Sequence, residues 1–377
     1  MGQRANGEGS ITKRKDGLYM ARYWVETPTG KKRKTIYGKK GEKRQDLADR
    51  LAEAIGNRSK GLVFEGDSRT LSSFLDGWLE GTVKGSVKAT TYESYERIIR
   101  CHIKPELGSH KLKTLAPDHV QSLYQRKLGS GLTPGTVWLV HSVLNRALDQ
   151  AVKWGMVPRN VCKAATPPKR SSEEIKPLDS RQVRQLLDQA KGERLEALYV
   201  LAITAGMRFG ELLGLRWQDV DLDAATLRVR RTKSTAKSGP KFTTPKNGKG
   251  RLINLTGQAV EALKAHKAAQ NAERLRAGNL WQDHELVFCT HGGRPLDSHN
   301  VARTSFKPLL ERAGLPDLRF HDLRHTCATL LLSRGHHPRL VQELLGHSSV
   351  ALTLDRYSHV IPGMGEQTAA AMEAALS

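Results

Sequence analysis

The sequence has little that would tie it to a membrane or to an oxidising compartment. No apolar run reaches the roughly 18 residues needed to span a bilayer, and the opening MGQRANGEGS has no apolar segment of the kind signal peptides carry. Cysteine is scarce. Cys101, Cys162, Cys289 and Cys327 lie far apart, with neither a CxxC pair nor the spacing of a disulfide framework, so they read as reduced core residues. No His, Cys, Asp and Glu pattern makes a convincing metal site, and no metal or other cofactor is expected. Acidic residues are in deficit: 38 Asp and Glu stand against 61 Lys and Arg, for a formal charge of +23 and a pI near 10.0. That imbalance favours a large polyanion as partner, nucleic acid first. The expectation is a soluble cytoplasmic protein with no membrane partner.

A chain of 377 residues has room for two or three domains. The first 40 residues look like a three-stranded sheet: Ser10 to Arg14, an Asp16-Gly17 turn, Leu18 to Val25, a turn at Thr27-Pro28-Thr29-Gly30, then Lys31 to Tyr37. In the middle strand Tyr19, Ala21, Tyr23 and Val25 share one face; Leu18, Met20, Arg22 and Trp24 share the other. A helix from about Glu42 to Ile55, with Leu47 and Leu51 on one side, can cover either. Residues 1–60 hold 16 Lys and Arg against 7 Asp and Glu, so a basic, aromatic sheet suits DNA, with Tyr19, Arg22, Tyr23, Lys32 and Lys34 as candidate contacts. The alternative is that the aromatics are core and the lysines a solvated edge.

From Leu71 to Cys162 the apolar spacing turns helical, with stripes at Leu71, Phe74, Leu75 and Trp78, at Tyr92, Tyr95, Ile98 and Ile99, and at Val137, Val140, Leu144, Leu148 and Ala151. Three prolines and a charged stretch between Ala164 and Pro177 read as an interdomain linker. A helix capped by Asp179 or Ser180 follows, then one from Leu195 to Ala205, two strands at Thr226 to Arg231 and Arg251 to Leu255, and helices after about Ser298. The fold class expected is multidomain α+β: a small sheet plus helix, a helical bundle, and a mostly helical C-terminal domain with a small sheet.

Six dispersed polar residues, Arg208, Lys246, His321, Arg324, His347 and Tyr357, suggest phosphodiester chemistry. Two guanidiniums match the two non-bridging oxygens of a phosphate, a tyrosine can attack phosphorus, and Lys and His can move protons. Arg208 follows a glycine turn at a helix start, with Glu211 one turn along to orient it. In His321-Asp322-Leu323-Arg324, about 100° of rotation per residue puts His321 opposite the stripe of Leu323, Cys327, Leu330 and Leu331, and Arg324 about 60° from His321 at the stripe's edge. His325 reads as a structural hydrogen-bonder. Gly335 and Gly346 end successive helices, Pro338 begins the second, and His347 sits just past the second cap.

The boxes TAGMRFGELLGLRW, FHDLRHTCATLLLSRG and ELLGHSSVALTLDRYSHV, in this order, resemble those of tyrosine recombinases of the phage and mobile-element integrase family. The resemblance spans essentially the whole chain. It implies that Arg208 and Arg324 clamp the scissile phosphate, that Tyr357 is the nucleophile, and that His321 and His347 complete the site. It also implies a hairpin lysine as general acid, for which Lys246 in TPKNGKGR fits best and Lys249 next. His321 is the expected acceptor of the tyrosine proton. The activity implied is site-specific DNA cutting and rejoining through a 3′-phosphotyrosyl intermediate and a Holliday junction, for integration and excision. The resemblance further implies an arm-site domain at 1–60, a core-binding domain at 65–165, and a catalytic domain at 175–377 ending in a protomer-exchange helix near Gly363 to Ser377. Its partners would be core and arm DNA, a homotetramer, a directionality factor and a host DNA-bending protein, on the nucleoid of a bacterial host. The alternatives are a Xer-like resolvase and a catalytically silent DNA-binding regulator.

Overall fold

The computed structural model describes residues 9–27, 30–59, 69–169, 177–236, 239–244, 250–357 and 372–376. They fall in two compact units, residues 1–172 and 173–377.

The first unit opens on an antiparallel sheet of β1 (Ser10–Lys13), β2 (Tyr19–Thr27) and β3 (Gly30–Tyr37), in that order. Helix α1 (Arg44–Ser59) lays Leu47 and Leu51 on Ala21, and Ile11, Tyr19, Tyr23, Ile36 and Ile55 complete this small core. Strand alternation then sends Met20, Arg22 and Trp24 to the open face. There Trp24 is paired in register with Arg33, whose guanidinium lies 5.8 Å from the indole centroid.

A separate helical core follows, built from α2 (Leu71–Trp78), α3 (Ala89–Ile98), α4 (Lys104–Leu107), α5 (Pro117–Gly129) and α6 (Pro134–Lys153). Thr70 and Thr133 cap α2 and α6 by accepting from the amides of Ser73 and Thr136. The first and third apolar stripes are buried together with Ile98 and Ile99. Tyr92 and Tyr95 of the second stripe only half bury, because each keeps a polar tip near the surface: the Tyr92 hydroxyl donates to Glu80 Oε1 at 2.6 Å, and the Tyr95 hydroxyl accepts from Arg146 Nη1 at 3.1 Å while its ring stacks on Trp78.

In the second unit α7 (Ser180–Ala190) starts from an Asp179 cap reciprocated by Gln182. It is followed by α8 (Glu196–Thr204), α9 (Phe209–Leu212), β4 (Val220–Asp221) and β5 (Thr226–Val229). The chain then forms a separate hairpin, β6 (Thr232–Ala236) and β7 (Gly239–Thr243), before β8 (Arg251–Asn254) pairs with β5. Periodicity does not mark the strands of this hairpin, because its Lys, Ser, Thr and Gly residues carry no apolar alternation; the family resemblance does imply a hairpin in this stretch. The remaining helices are α10 (Gly257–Ala277), α11 (Ser298–Val301), α12 (Lys307–Arg312), α13 (Asp322–Leu332), α14 (Pro338–Leu345) and α15 (Val350–Tyr357).

Helix α13 is the pivot of this unit, with α8, α14 and α15 packed around it. Every residue from Asp322 to Ala328 is buried. The single apolar stripe expected for it is therefore incomplete as a description: a helix enclosed on several sides has no polar edge, and Arg324 is buried rather than placed at a rim. At the far end, residues 372–376 form a helical turn with Met372 and Leu376 exposed; the rest of the segment from Gly363 lies outside the described residues. Among the described residues, no helix is long and apolar enough to cross a membrane.

Candidate active site

The site is organised by the C-terminus of α14. The last carbonyls of a helix have no intrahelical partner and carry the negative end of its dipole, so they attract cations. Three consecutive carbonyls there each accept from a different arginine: Leu344 from Arg251 Nε at 2.7 Å, Leu345 from Arg324 Nη2 at 2.6 Å, and Gly346 from Arg208 Nη2 at 3.0 Å. Arginines far apart in sequence, from the start of α9, from β8 and from the first turn of α13, thereby converge on one helix end.

Two glycines make this convergence fit. Gly206 joins α8 to Arg208 at φ +56°, and a Cβ there would stand 2.6 Å from Leu345 Cδ2. Its carbonyl accepts from Arg324 Nη1 at 2.7 Å. Gly346 adopts the left-handed conformation that ends α14, φ 65° and ψ 47°, and a Cβ would meet Arg251 Nη1 at 3.0 Å.

Glu211 is the counter-ion. It is buried, its Oε1 accepts from Arg208 Nη1 at 2.8 Å, and its Oε2 accepts from the Arg208 amide at 3.0 Å and from Arg251 Nη2 at 2.7 Å. Burial alone would raise its carboxyl, but the hydrogen bonds and charges of Arg251 and Arg208 outweigh that and hold it down to about 2. Glu211 thus stays ionised while it braces two guanidiniums. Arg324 is in the opposite condition. Burial, then the like charge of Arg208, pull its guanidinium down to about 9, so this is a cation short of anionic partners. Each guanidinium carries five donors and uses only some of them here.

Tyr357 ends α15 and is buried against Ala328, Leu332, Val341 and Leu345 of the same chain. Its hydroxyl lies 2.5 Å from His325 Nδ1. Burial pushes the phenol up to about 12 against the pull of Arg324 and Arg356. The bond goes to His325 and not to His321, the expected acceptor. His321 is exposed, ring-perpendicular to His325 with centroids 5.2 Å apart, and crowding followed by the charge of Arg324 lowers its pKa. His347 is half-buried just past Gly346. Its Nδ1 is 2.9 Å from the buried Thr353 hydroxyl, and burial, then Arg324 and Arg208, pull it down to about 4.

The structure thus brings Arg208, Arg324, His321, His347, Tyr357 and Glu211 around one helix end. Lys246 and Lys249 lie outside the described residues, between β7 and β8. Arg251 is an addition to the residues expected from sequence, and its place at the start of β8 was a usable signal; His325 is the hydrogen-bonder expected, and its partner is Tyr357. In the first unit Tyr19 and Tyr23 turn toward the small core. Lys34 sits opposite Tyr23 in register, on that same covered face, while Arg22 stands on the open one; the side chain of Lys32 lies outside the described residues. Among the described residues there is no group of three or more His, Cys, Asp or Glu suited to a metal ion.

The model of the phage integrase family matches residues 176–363, and that of the phage integrase N-terminal SAM-like domain matches residues 70–128. A protein described as tyrosine recombinase XerC-like, from Caldanaerobacter subterraneus subsp. tengcongensis, is 33% identical, the match covering 88% of this chain and 88% of that protein. The chain belongs to the phage integrase family of tyrosine recombinases. This recombinase is also similar to an integrase of Saccharopolyspora erythraea, 27% identical over 97% of this chain and 95% of that one. Its fold matches that of a Tn1549 transposon integrase bound to transposon right end DNA, at TM-score 0.69 and 20% identity over 82% of this chain and 100% of that one. It also matches a lambda integrase tetramer bound to a Holliday junction, at TM-score 0.57 and 20% identity over 90% and 95%. As a member of this family the protein is an enzyme that cuts and rejoins DNA.

Proposed function

We propose that this recombinase is the integrase of a phage or other mobile element, and that Tyr357 carries the DNA through a 3′-phosphotyrosyl bond. The observation that carries the reading is the convergence of Arg208 and Arg324 on the end of α14 with Tyr357 docked in cis beside them. Spare guanidinium donors take the two non-bridging oxygens and neutralise the charge that grows on phosphorus. The ring nitrogen of His347 not engaged by Thr353 adds a further donor. Lys246, with Lys249 as the other candidate, protonates the departing 5′ oxygen. Because the phosphotyrosyl bond keeps the phosphodiester energy, religation to a new strand needs no ATP, and side chains handle every proton.

The SAM-like match over residues 70–128 supports a core-site clamp at 65–165. Residues 1–60 are assigned to arm sites, on the strength of their charge and of the open face of Arg22, Trp24 and Arg33. Double-stranded core and arm DNA, three further copies of the chain, a directionality factor and a host bending protein are the partners of this reading, and the bacterial nucleoid is its place. The segment from Gly363 is assigned to protomer exchange.

The test is SDS-resistant capture of sheared source DNA by wild type and by Tyr357→Phe, followed by sequencing. Adducts with wild type alone, at one short inverted repeat, are expected; adduct from Tyr357→Phe at the wild-type level would sink the assignment. A Xer-like resolvase is the second reading, favoured by the 33% identical relative. Deleting residues 1–60 separates the two: an integrase loses integration and keeps core-site cleavage, whereas unchanged integration points to the resolvase.

A further inference from the structure

We propose that His325, rather than His321, takes the proton from Tyr357 as the tyrosine attacks. This rests on the phosphotyrosine reading above. The geometry is direct, since His325 Nδ1 and the Tyr357 hydroxyl are 2.5 Å apart, inside the reach required of a general base. Both side chains are almost wholly buried, His325 at 4% and Tyr357 at 2% exposure, so bulk water does not compete for the hydroxyl. His325 directly follows Arg324 on α13. The helix that holds the phosphate clamp therefore also sets the base, and no loop movement is needed to bring the two together.

The ring must be neutral to accept. Burial, then His321 and Arg356, pull His325 down to about 4, so near neutral pH the ring is neutral, and in the tautomer protonated on Nε2 its Nδ1 offers a lone pair to the phenol. The charged and titratable groups facing it are His321 just before α13, Asp322 and Arg324 from α13, Arg356 and Tyr357 from α15, and His347 beyond α14. The cations among them keep it unprotonated in the free enzyme, and a bound phosphate offsets their field and raises its basicity when a base is wanted. In the step itself the Tyr357 O–H bond breaks and its proton moves to Nδ1. The phenolic oxygen bonds to phosphorus, the bond from phosphorus to the 5′ oxygen breaks, and the hairpin lysine protonates that oxygen. Religation runs the same transfers backwards. His321, exposed beside Arg324, is left to hydrogen-bond a phosphate oxygen.

The test uses the full-length protein and the duplex recovered by SDS-resistant capture, nicked so that cleavage is trapped, in two forms: the natural 5′ oxygen and a bridging 5′ sulfur. Sulfur leaves without being protonated, so it bypasses the acid but not the base. His325→Asn is expected to bind DNA like wild type, to form adduct about 10²- to 10⁴-fold more slowly on both duplexes, and to lose the low-pH limb of the wild-type rate profile. His321→Gln keeps that limb. Should the Asn variant fail to show a cooperative thermal transition, His325→Gln takes its place with the same expectations. Adduct formation within about threefold of wild type, a retained low-pH limb, or full rescue by sulfur would each overturn the assignment. Wild-type adduct on the same duplex stands whichever way the variant behaves, so the proton assignment and the phosphotyrosine reading fail separately.

Discussion

The helical core of residues 71–165 and the core of the C-terminal unit are of similar construction but hold different contents. Among the described residues, the first buries a single polar side chain, Asn160, whose amide is satisfied by Asn145 and Asp149. The second buries Glu211, Asp322, Arg324 and His325 beside its apolar residues. Buried charge costs several kcal/mol per ion before any pairing offsets it. A fold needing only stability has no reason to collect it. Under the proposed reading the C-terminal unit gives up stability to keep cations pointing where a phosphate binds, and the bundle, whose task is to grip DNA from outside, does not.

The contrast breaks first on activity. Arg324→Ala is expected to lower adduct formation by about 10²- to 10³-fold at saturating DNA, the effect of removing one preorganised donor to a charged transition state. Leu75→Ala in the bundle should leave single-turnover cleavage per folded, bound molecule near wild type. An Arg324→Ala enzyme that cleaves normally would remove the reason offered here for burying the charge.

On stability the two regions should fail by different routes. Glu211→Ala leaves Arg208 and Arg251 facing each other with no carboxylate, and should destabilise the C-terminal unit by about 3–5 kcal/mol. Leu75→Ala should cost about 2–5 kcal/mol through a cavity. Denaturant unfolding separates the two if repeated in high salt. Screening eases the repulsion left by Glu211→Ala and does nothing for a cavity, so equal salt responses would erase the distinction.

Acid sharpens the contrast by a smaller amount. His325 and His347 have folded pKa values lowered to about 4, below the unfolded value of about 6.5. The unfolded chain therefore takes up protons first, and stability falls as pH drops from about 6.5 to about 4. Glu211 acts lower: its contribution is present above the unfolded carboxyl value and is lost as pH falls toward about 2. His102 and His141 are lowered in the bundle as well, so the C-terminal unit should melt earlier on acidification by degree, as followed by near-UV signals of the separate units.

The smallest effect expected is local. Gly346→Ala forces an L side chain into φ 65° and toward Arg251, at about 1–2 kcal/mol, with a reduced cleavage rate because His347 and the Gly346 carbonyl shift together. A neutral result would mean that the helix end is not what holds the arginines.

Much of this molecule is legible in one dimension. The helical stripes, the Asp179 cap, the Gly346 stop and the three boxes are local patterns: each depends on residues a few positions apart, and backbone geometry ties those to fixed periods. The family is legible too, because the three boxes are local patterns, and residues 176–363, which hold them, match the phage integrase family. Less local matters were decided elsewhere. Strand alternation divides Tyr19 and Tyr23 from Arg22 and Trp24, but it does not say which face α1 will cover; Leu47 and Leu51 packing on Ala21 settled that. Rotation along α13 locates Arg324 relative to His321, yet its burial depends on α8, α14 and α15 closing around that helix. The choice of His325 over His321 as partner of Tyr357, and the seating of three arginines on three successive carbonyls, join residues between 21 and 138 positions apart. Spacing along the chain carries no information about such pairs, because they exist only once packing has fixed where each helix ends.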